Sequence, residues 1–339
     1  MSDLSTVATA ANALRFGLRW RRGLVAALHR LWQSALVLWA AFTVSFVILY
    51  ALPSDPVSIM LNQNGEPSAA DQAQIQALRA EYHLDQPLPV QYGIALWRAL
   101  QLDFGQSIQS GEPVGGALAQ ALPATARLTA LALVLALLGG IGLALAANLA
   151  RWRWLRDVLL GLPALSVSLP TFWVGLLLLQ AFSFNLHWFP AMGNRGVASL
   201  VLPALTLAIP TAAIIAQVLL RSLAGVSRQP FAQALRAKGV SGRRLLFVHL
   251  LHNAAVPVLS LSGVVVGNLL AGSVVTETVF SREGVGRLAQ AAVGSQDIPM
   301  VQGVVLLAAA IFILVNLLVD LLYPLLDPRM AQPLDGGPR

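Results

Sequence analysis

The sequence predicts an all-α integral membrane protein with six transmembrane helices. Three observations predict it. Of 339 residues, 57% are hydrophobic and only 11% charged, less than half the roughly 25% of a soluble domain, and mean hydropathy is +0.70. Six apolar runs reach the roughly 20 residues that a helix rising about 1.5 Å per residue needs to cross a bilayer core. Basic residues gather in alternate connections between those runs, as in a chain that crosses repeatedly and keeps its positive loops cytoplasmic. This composition excludes a disordered chain and an ordinary soluble enzyme. With no cysteine there is no disulfide framework, no thiolate-bound zinc and no thiol nucleophile. The net charge of +7 lies in short clusters rather than along one stripe, so nucleic acid is not an expected partner.

In chain order, residues 1–30 interleave Arg15, Arg19, Arg21, Arg22 and Arg30 with Phe16, Leu18, Trp20, Leu24 and Leu28. They read either as an interfacial amphipathic helix or as a basic tail that sets topology. The first span, 31–52, is followed by no small-x-small cleavage site, so it reads as an uncleaved anchor. The outer segment, 53–122, carries seven acids from Asp55 to Glu112 and only Arg79 and Arg98 as bases. It is too long for a structureless connection and reads as a helical cap. Ser68-Ala-Ala-Asp71 opens one helix, with Ile75, Leu78 and Tyr82 at helical spacing. Pro87 and Pro89 stop it and start a second through Tyr92, Leu96 and Trp97, and a third short helix covers Val114 to Ala121. The cap either touches an extracytoplasmic partner or packs only on its own helices.

Residues 123–326 hold the other five spans, predicted at 128–149, 158–184, 199–220, 256–279 and 300–326. Pro163, Pro170, Pro210, Gly139 and Gly140 lie inside them, and membrane helices tolerate this because neighbouring helices satisfy the freed backbone groups. Gly263 and Gly267 form a small-xxx-small pair suited to a close crossing, within the chain or with a partner chain. Trp20, Trp32, Trp152, Trp154 and Trp188 lie near predicted boundaries, where anchoring at the lipid interface accounts for them. Arg151, Arg153 and Arg156 follow the second span. Arg221, Arg228, Arg236, Lys238, Arg243 and Arg244 follow the fourth, with no acid among them, whereas the stretch after the third has only Arg195. All connections agree on one topology, with both the N-terminus and the tail 327–339 cytoplasmic.

The segment 228–253 is the most informative. Pro230 stands near the start of a short helix and Gly239 at its stop. Ala232, Ala234 and Ala237 permit close approach by another surface, and a second helix runs from Ser241 to Asn253. The segment reads either as a docking knob for a soluble partner or as a plain topology-setting loop.

Several stretches resemble the membrane-spanning permease subunits of bacterial ABC importers, in the dipeptide, oligopeptide and nickel branch. They are Leu52-Pro-Ser-Asp-Pro-Val57, Tyr82-His-Leu-Asp-Gln-Pro-Leu-Pro-Val-Gln-Tyr92, Leu102-Asp-Phe-Gly-Gln-Ser107, Leu122-Pro-Ala-Thr125, Arg236-Ala-Lys-Gly239 with His249, Asn253 and Pro257, Glu277-Thr-Val-Phe280, and Asp320 with Asp327-Pro-Arg329. The resemblance implies a type I importer permease fold in a bacterial inner membrane, with a periplasmic loop and a cytoplasmic coupling helix. It implies a second homologous permease, two ATPase subunits, a periplasmic binding protein and surrounding lipid as partners, and dipeptides or oligopeptides as cargo. Nickel or a metal chelate is the alternative cargo. Phe231, Ala232, Gln233, Ala234, Leu235, Arg236, Ala237, Lys238 and Gly239, with Arg243 and Arg244, would form the segment that an ATPase grips. The general importer motif opens with Glu-Ala-Ala; here Gln233, Ala234 and Leu235 stand in its place, so no charged contact is expected from Gln233. Closure of the ATPases around ATP would reorient the spans as rigid bodies.

The chain has no G-x-x-x-x-G-K-[ST] loop, so ATP and Mg are expected on the partner ATPases and no cofactor on this chain. Glu277 is either a residue of the translocation path or a structural partner for Arg282 or a helix end. Asn316 and Asp320, one turn apart, either line the path or bond to a neighbouring helix. His249 and His252 have the spacing of a metal pair but no third ligand nearby, so no metal site is expected. Lys238, Arg243 and Arg244 meet either acidic groups of the ATPase or anionic lipid. A stand-alone secondary transporter would show inverted repeats and midplane charge pairs, and neither is visible. No Ser, His and Asp arrangement inside the spans suits a nucleophile.

Overall fold

The computed structural model describes residues 28–49, 76, 85–194 and 196–326, with side chains to 319. The helix expected after Ser68, the basic N-terminal segment and the tail lie outside the described residues. Among the described residues the regular elements are all helices, and no strand forms beyond an isolated bridge between Gln106 and Pro113.

The first helix, α1, spans Leu28–Leu49. The second, α2, spans Leu88–Leu100, with Pro87 at its N-cap and Pro89 in its first turn, where a missing N–H costs nothing. Tyr92 of α2 sits between Phe42 and Phe46 of α1, at ring-centroid distances of 5.6 and 5.3 Å, and its hydroxyl lies 2.8 Å from that of Thr43.

Helix α3 is continuous over Val114–Leu149. The short helix expected at Val114 to Ala121 is therefore the first part of this span, and the expected boundary at 122/123 falls inside it. At about 1.5 Å per residue its 36 residues exceed a bilayer core of about 30 Å, so it projects beyond the membrane. Its buried residues Leu128, Ala132, Ala136, Gly140 and Ala144 recur every fourth position. That stripe packs on α6, Ala198–Ser227. Small side chains let the two backbones close up: a methyl group at Gly140 would lie 2.7 Å from the Ala212 carbonyl oxygen. Helix α6 is the central element, with 56% of its most apolar window buried against 17% in α1.

The third apolar run is broken in two. Helix α4 covers Arg153–Ser168 and α5 covers Thr171–Asn185, bent by 106°. Pro170 explains the break. The residue before a proline is pushed out of the helical region, and Leu169 sits at φ −88°, ψ 130°.

After α6 come the short α7, Pro230–Ala237, and α8, Gly242–Ser260, which meets α9, Ser262–Val279, at 54°. Helix α10, Val285–Gly294, was not expected from the sequence, and α11 spans Ile298–Leu326. Among the described residues four helices are individually long and apolar enough to cross a membrane, and six spans result when each bent pair counts as one. The glycine pair of α9 makes its crossing within the chain, on α11: Gly263 lies against the Asn316 amide and Gly267 against Phe312.

Candidate functional site

The first site is α7, at the end of the bundle that carries the basic connections. Gln229 enters it in extended conformation with Pro230 in the first turn, and Gly239, at φ +81°, ends it in the left-handed region that favours glycine. Ala232 is fully buried, in one cluster with Leu219, Leu223 and Val226 of α6 and Leu245, Leu246, Leu250 and Ala254 of α8; Leu235 and Val240 pack against it. Two side chains fasten α7 to the end of α6. Arg236 Nη1 donates to the Ser227 carbonyl at 3.1 Å, and Gln233 Nε2 donates to the Arg228 carbonyl at 3.1 Å. Both use carbonyls that a helix end leaves without an intrahelical partner. The opposite face is open: Phe231, Ala234, Ala237 and Lys238 are exposed, as are Arg243 and Arg244 at the start of α8. The structure thus gathers the whole predicted segment into one knob, half seated in the core and half free.

The second site is at the other end of the bundle and is built around buried polar groups. Glu277, near the end of α9, is 1% exposed. Its carboxyl group accepts from the Thr125 hydroxyl at 2.6 Å and from the Arg287 backbone N–H at 3.1 Å. Thr125 in turn accepts from the Val285 N–H at 2.8 Å. Glu277 therefore reaches back to satisfy the first turn of α10, whose N–H groups have no helical partner. Gly284 and Gly286 make room for it: a methyl group at Gly284 would collide with the carboxyl group, and one at Gly286 would lie 2.6 Å from the Val274 Cα. Arg282 is also buried, and its Nη1 donates to the carbonyls of Gly193 at 2.9 Å and Ser199 at 3.0 Å. Burial pushes the Arg282 guanidinium below its ordinary pKa, and the Glu277 charge offsets part of that.

A third knot ties the outer loop to α11. Asp297 accepts from the Ser107 hydroxyl, from the Ile108 N–H at 3.3 Å and from the Met300 N–H at 3.3 Å. It caps α11 and holds the Leu102-to-Ser107 loop in place. Asp297, Gly284 and Gly286 were not singled out by sequence reasoning, and Thr125 entered it only as the end of the Leu122-Pro-Ala-Thr125 stretch. The one signal for Asp297 was an N-cap residue followed by Ile298-Pro299, a helix-start pattern.

Glu277, Asn316 and Asp320 do not converge. Asn316 faces Gly263 at the opposite end of α9 from Glu277, about 21 Å along the helix, and its Nδ2 donates to the Phe312 carbonyl at 2.9 Å. Asp320 lies one turn further along α11, away from Glu277. Beside the Glu277 knot, α3, the start of α6 and the 282–291 stretch line an open cavity of about 780 Å³. The chain is thus a bundle of bent apolar helices, with a small seated helix free on one face at one end and an open cavity at the other.

Comparison with known proteins places that bundle in a family. The family model for the inner membrane component of binding-protein-dependent transport systems matches residues 136–332. A protein of Brucella abortus (strain 2308), whose name describes a peptide transport system permease, is 34% identical over 311 residues, covering 89% of this chain and 98% of that protein. The glutathione transport system permease protein GsiC of Salmonella choleraesuis (strain SC-B67) is 37% identical over 285 residues, covering 84% and 92%. A solved structure of the MetNI methionine ABC transporter in inward-facing form matches with a TM-score of 0.53 at 16% identity, covering 62% of this chain and 96% of that one; it speaks for the fold alone. The chain belongs to the binding-protein-dependent transport system inner membrane component family. It is a multi-pass membrane protein, the permease of an ABC importer, as the sequence motifs led one to expect.

Proposed function

We propose that this permease carries dipeptides or oligopeptides, that α7 is the element its ATPase grips, and that the basic end of the bundle faces the cytoplasm. The partners are a second permease, two ATPases that hold ATP and Mg, and a periplasmic binding protein; this chain has no ATPase activity of its own. The peptide and glutathione permeases among its relatives support the cargo, and the positive-inside rule supports the orientation.

The observation that carries the coupling reading is the division of α7 into a buried face at Ala232 and an exposed face at Ala234 and Ala237. Small exposed side chains let an ATPase groove close on the backbone. The Arg236 and Gln233 bonds to the end of α6, with the shared apolar cluster, make α7 and the cytoplasmic end of α6 one rigid piece. A pull on α7 then moves the central helix of the bundle, and interfaces packed this tightly switch between discrete arrangements rather than deform.

The test is Ala234→Trp in the assembled transporter. Uptake of labelled peptide should fall at least about 100-fold and the ATPases should be lost on purification, while the chain stays in the membrane at its usual level. Normal ATP-driven uptake by that variant would refute the coupling role. Uptake of nickel but not of peptide by the unaltered transporter would reassign the cargo.

A further inference from the structure

The cavity of about 780 Å³ lies at the end opposite α7 and is of a size that encloses a small organic ligand. Three segments distant in sequence build it. Ala117, Ala121 and Ala124 of α3 supply a wall of methyl groups at helical spacing, and Arg127, one turn on, joins Glu112, Glu283 and Arg287 around them. These four charged side chains are exposed. Among the described residues none of their charged groups makes a hydrogen bond or ion pair. The contrast with their neighbours is sharp: Glu277, Arg282 and Asp297, a few residues away, have their polar atoms engaged. Two cations and two anions that share one concave surface without pairing are available to a ligand that itself carries both signs.

We propose that this cavity is a subsite for the charged termini of a short peptide, with Arg127 and Arg287 receiving the terminal carboxylate and Glu112 and Glu283 the terminal ammonium. The alanine wall makes no demand on side-chain shape, so the site reads what all peptides share and leaves sequence aside. Guanidinium groups suit the carboxylate because they donate two parallel hydrogen bonds. The inference rests on the peptide cargo proposed above and adds that the permease itself, and not only its binding protein, inspects the cargo.

The experiment uses the complete transporter in proteoliposomes with saturating binding protein, and as probe an equimolar mixture of labelled alanine peptides of two to five residues. The double variant Arg127→Gln, Arg287→Gln should lower the maximal uptake rate about tenfold or more, the loss of a charge-assisted contact. Its affinity for the binding protein should be unchanged, and Arg127→Lys with Arg287→Lys, which keeps the charges but not the paired donors, should recover only part of the rate. Glu283→Gln, on an exposed loop, should lower the rate several-fold and decides the matter if the double variant does not assemble. Undiminished uptake by an assembled variant overturns the proposal. So does a loss of uptake matched by an equal loss of binding-protein affinity, since the rim would then be a protein-docking surface. Failure of the unaltered transporter to take up any of these peptides overturns the cargo reading together with the subsite, whereas peptide uptake insensitive to all the variants overturns the subsite alone.

Discussion

The two ends of the bundle are held together by opposite means. At the α7 end the joint is apolar: Ala232 sits in a cluster of leucines and valines, and only two side-chain hydrogen bonds supplement it. At the other end the joint is polar: Glu277 and Asp297 each gather donors from segments more than 150 residues away. The difference teaches where to look for function. Glu277 and Asp297 have their hydrogen-bond partners inside the protein, so they act as fasteners. The face of α7 left free for a partner carries Ala234 and Ala237 beside Phe231 and Lys238.

Breaking the polar fastener should have the largest effect on stability. Glu277→Ala leaves the Thr125 hydroxyl and the first N–H groups of α10 without their acceptor and Arg282 without its nearby opposite charge. It should cost about 3–5 kcal/mol, read as a lower thermal midpoint or lost folded yield in detergent; Glu277→Gln, which keeps an acceptor oxygen, should cost less. A midpoint unchanged in Glu277→Ala would show that the carboxyl group is free for cargo after all.

The apolar joint should be hurt less and in a different way. Ala232→Leu overpacks a fully buried position at a cost of about 1–3 kcal/mol. Because the displaced element is α7 itself, ATPase co-purification should fall more than thermal stability does. Equal losses of both would mean that α7 is only part of the general core. The smallest effect belongs to Arg236→Ala, which removes one exposed hydrogen bond to Ser227. Stability should change by at most about 1 kcal/mol, yet the rate of uptake per ATP hydrolysed should drop measurably, since the bond links α7 to α6. An unaltered ratio would assign that linkage to the apolar cluster alone.

Much of this arrangement is legible one residue at a time. The apolar runs, the start of α7 at Pro230 and its end at Gly239 are local matters; the break before Pro170 has a local cause as well, although the third run was expected to continue through it. Each depends on hydropathy or backbone freedom within a few neighbours. The segment 228–239 could accordingly be singled out by its pattern and resemblance, and the structure shows it as one compact knob. Glu277 was legible as a residue that either lines the path, pairs with Arg282 or serves a helix end, but the helix it serves was not legible, because α10 follows a turn at Ser281 with φ 47° and carries no N-terminal signal in its own sequence. The cavity was not legible at all, since Glu112, Arg127, Glu283 and Arg287 meet only after α3, α6 and α10 have packed.

The sequence by itself determined that the chain lives in a membrane, how many apolar runs it has, which connections are basic and to which family it belongs. These follow from sums over short windows and from short motifs. Tertiary structure alone decided which way the third run turns, which face of α7 is free, that Glu277 and Asp297 are spent on helix ends, and which charges stay unpaired around the cavity. The physical reason is that a hydrogen bond or a close crossing between residues 150 apart depends on how whole helices seat against one another, and no local property of either residue contains that geometry.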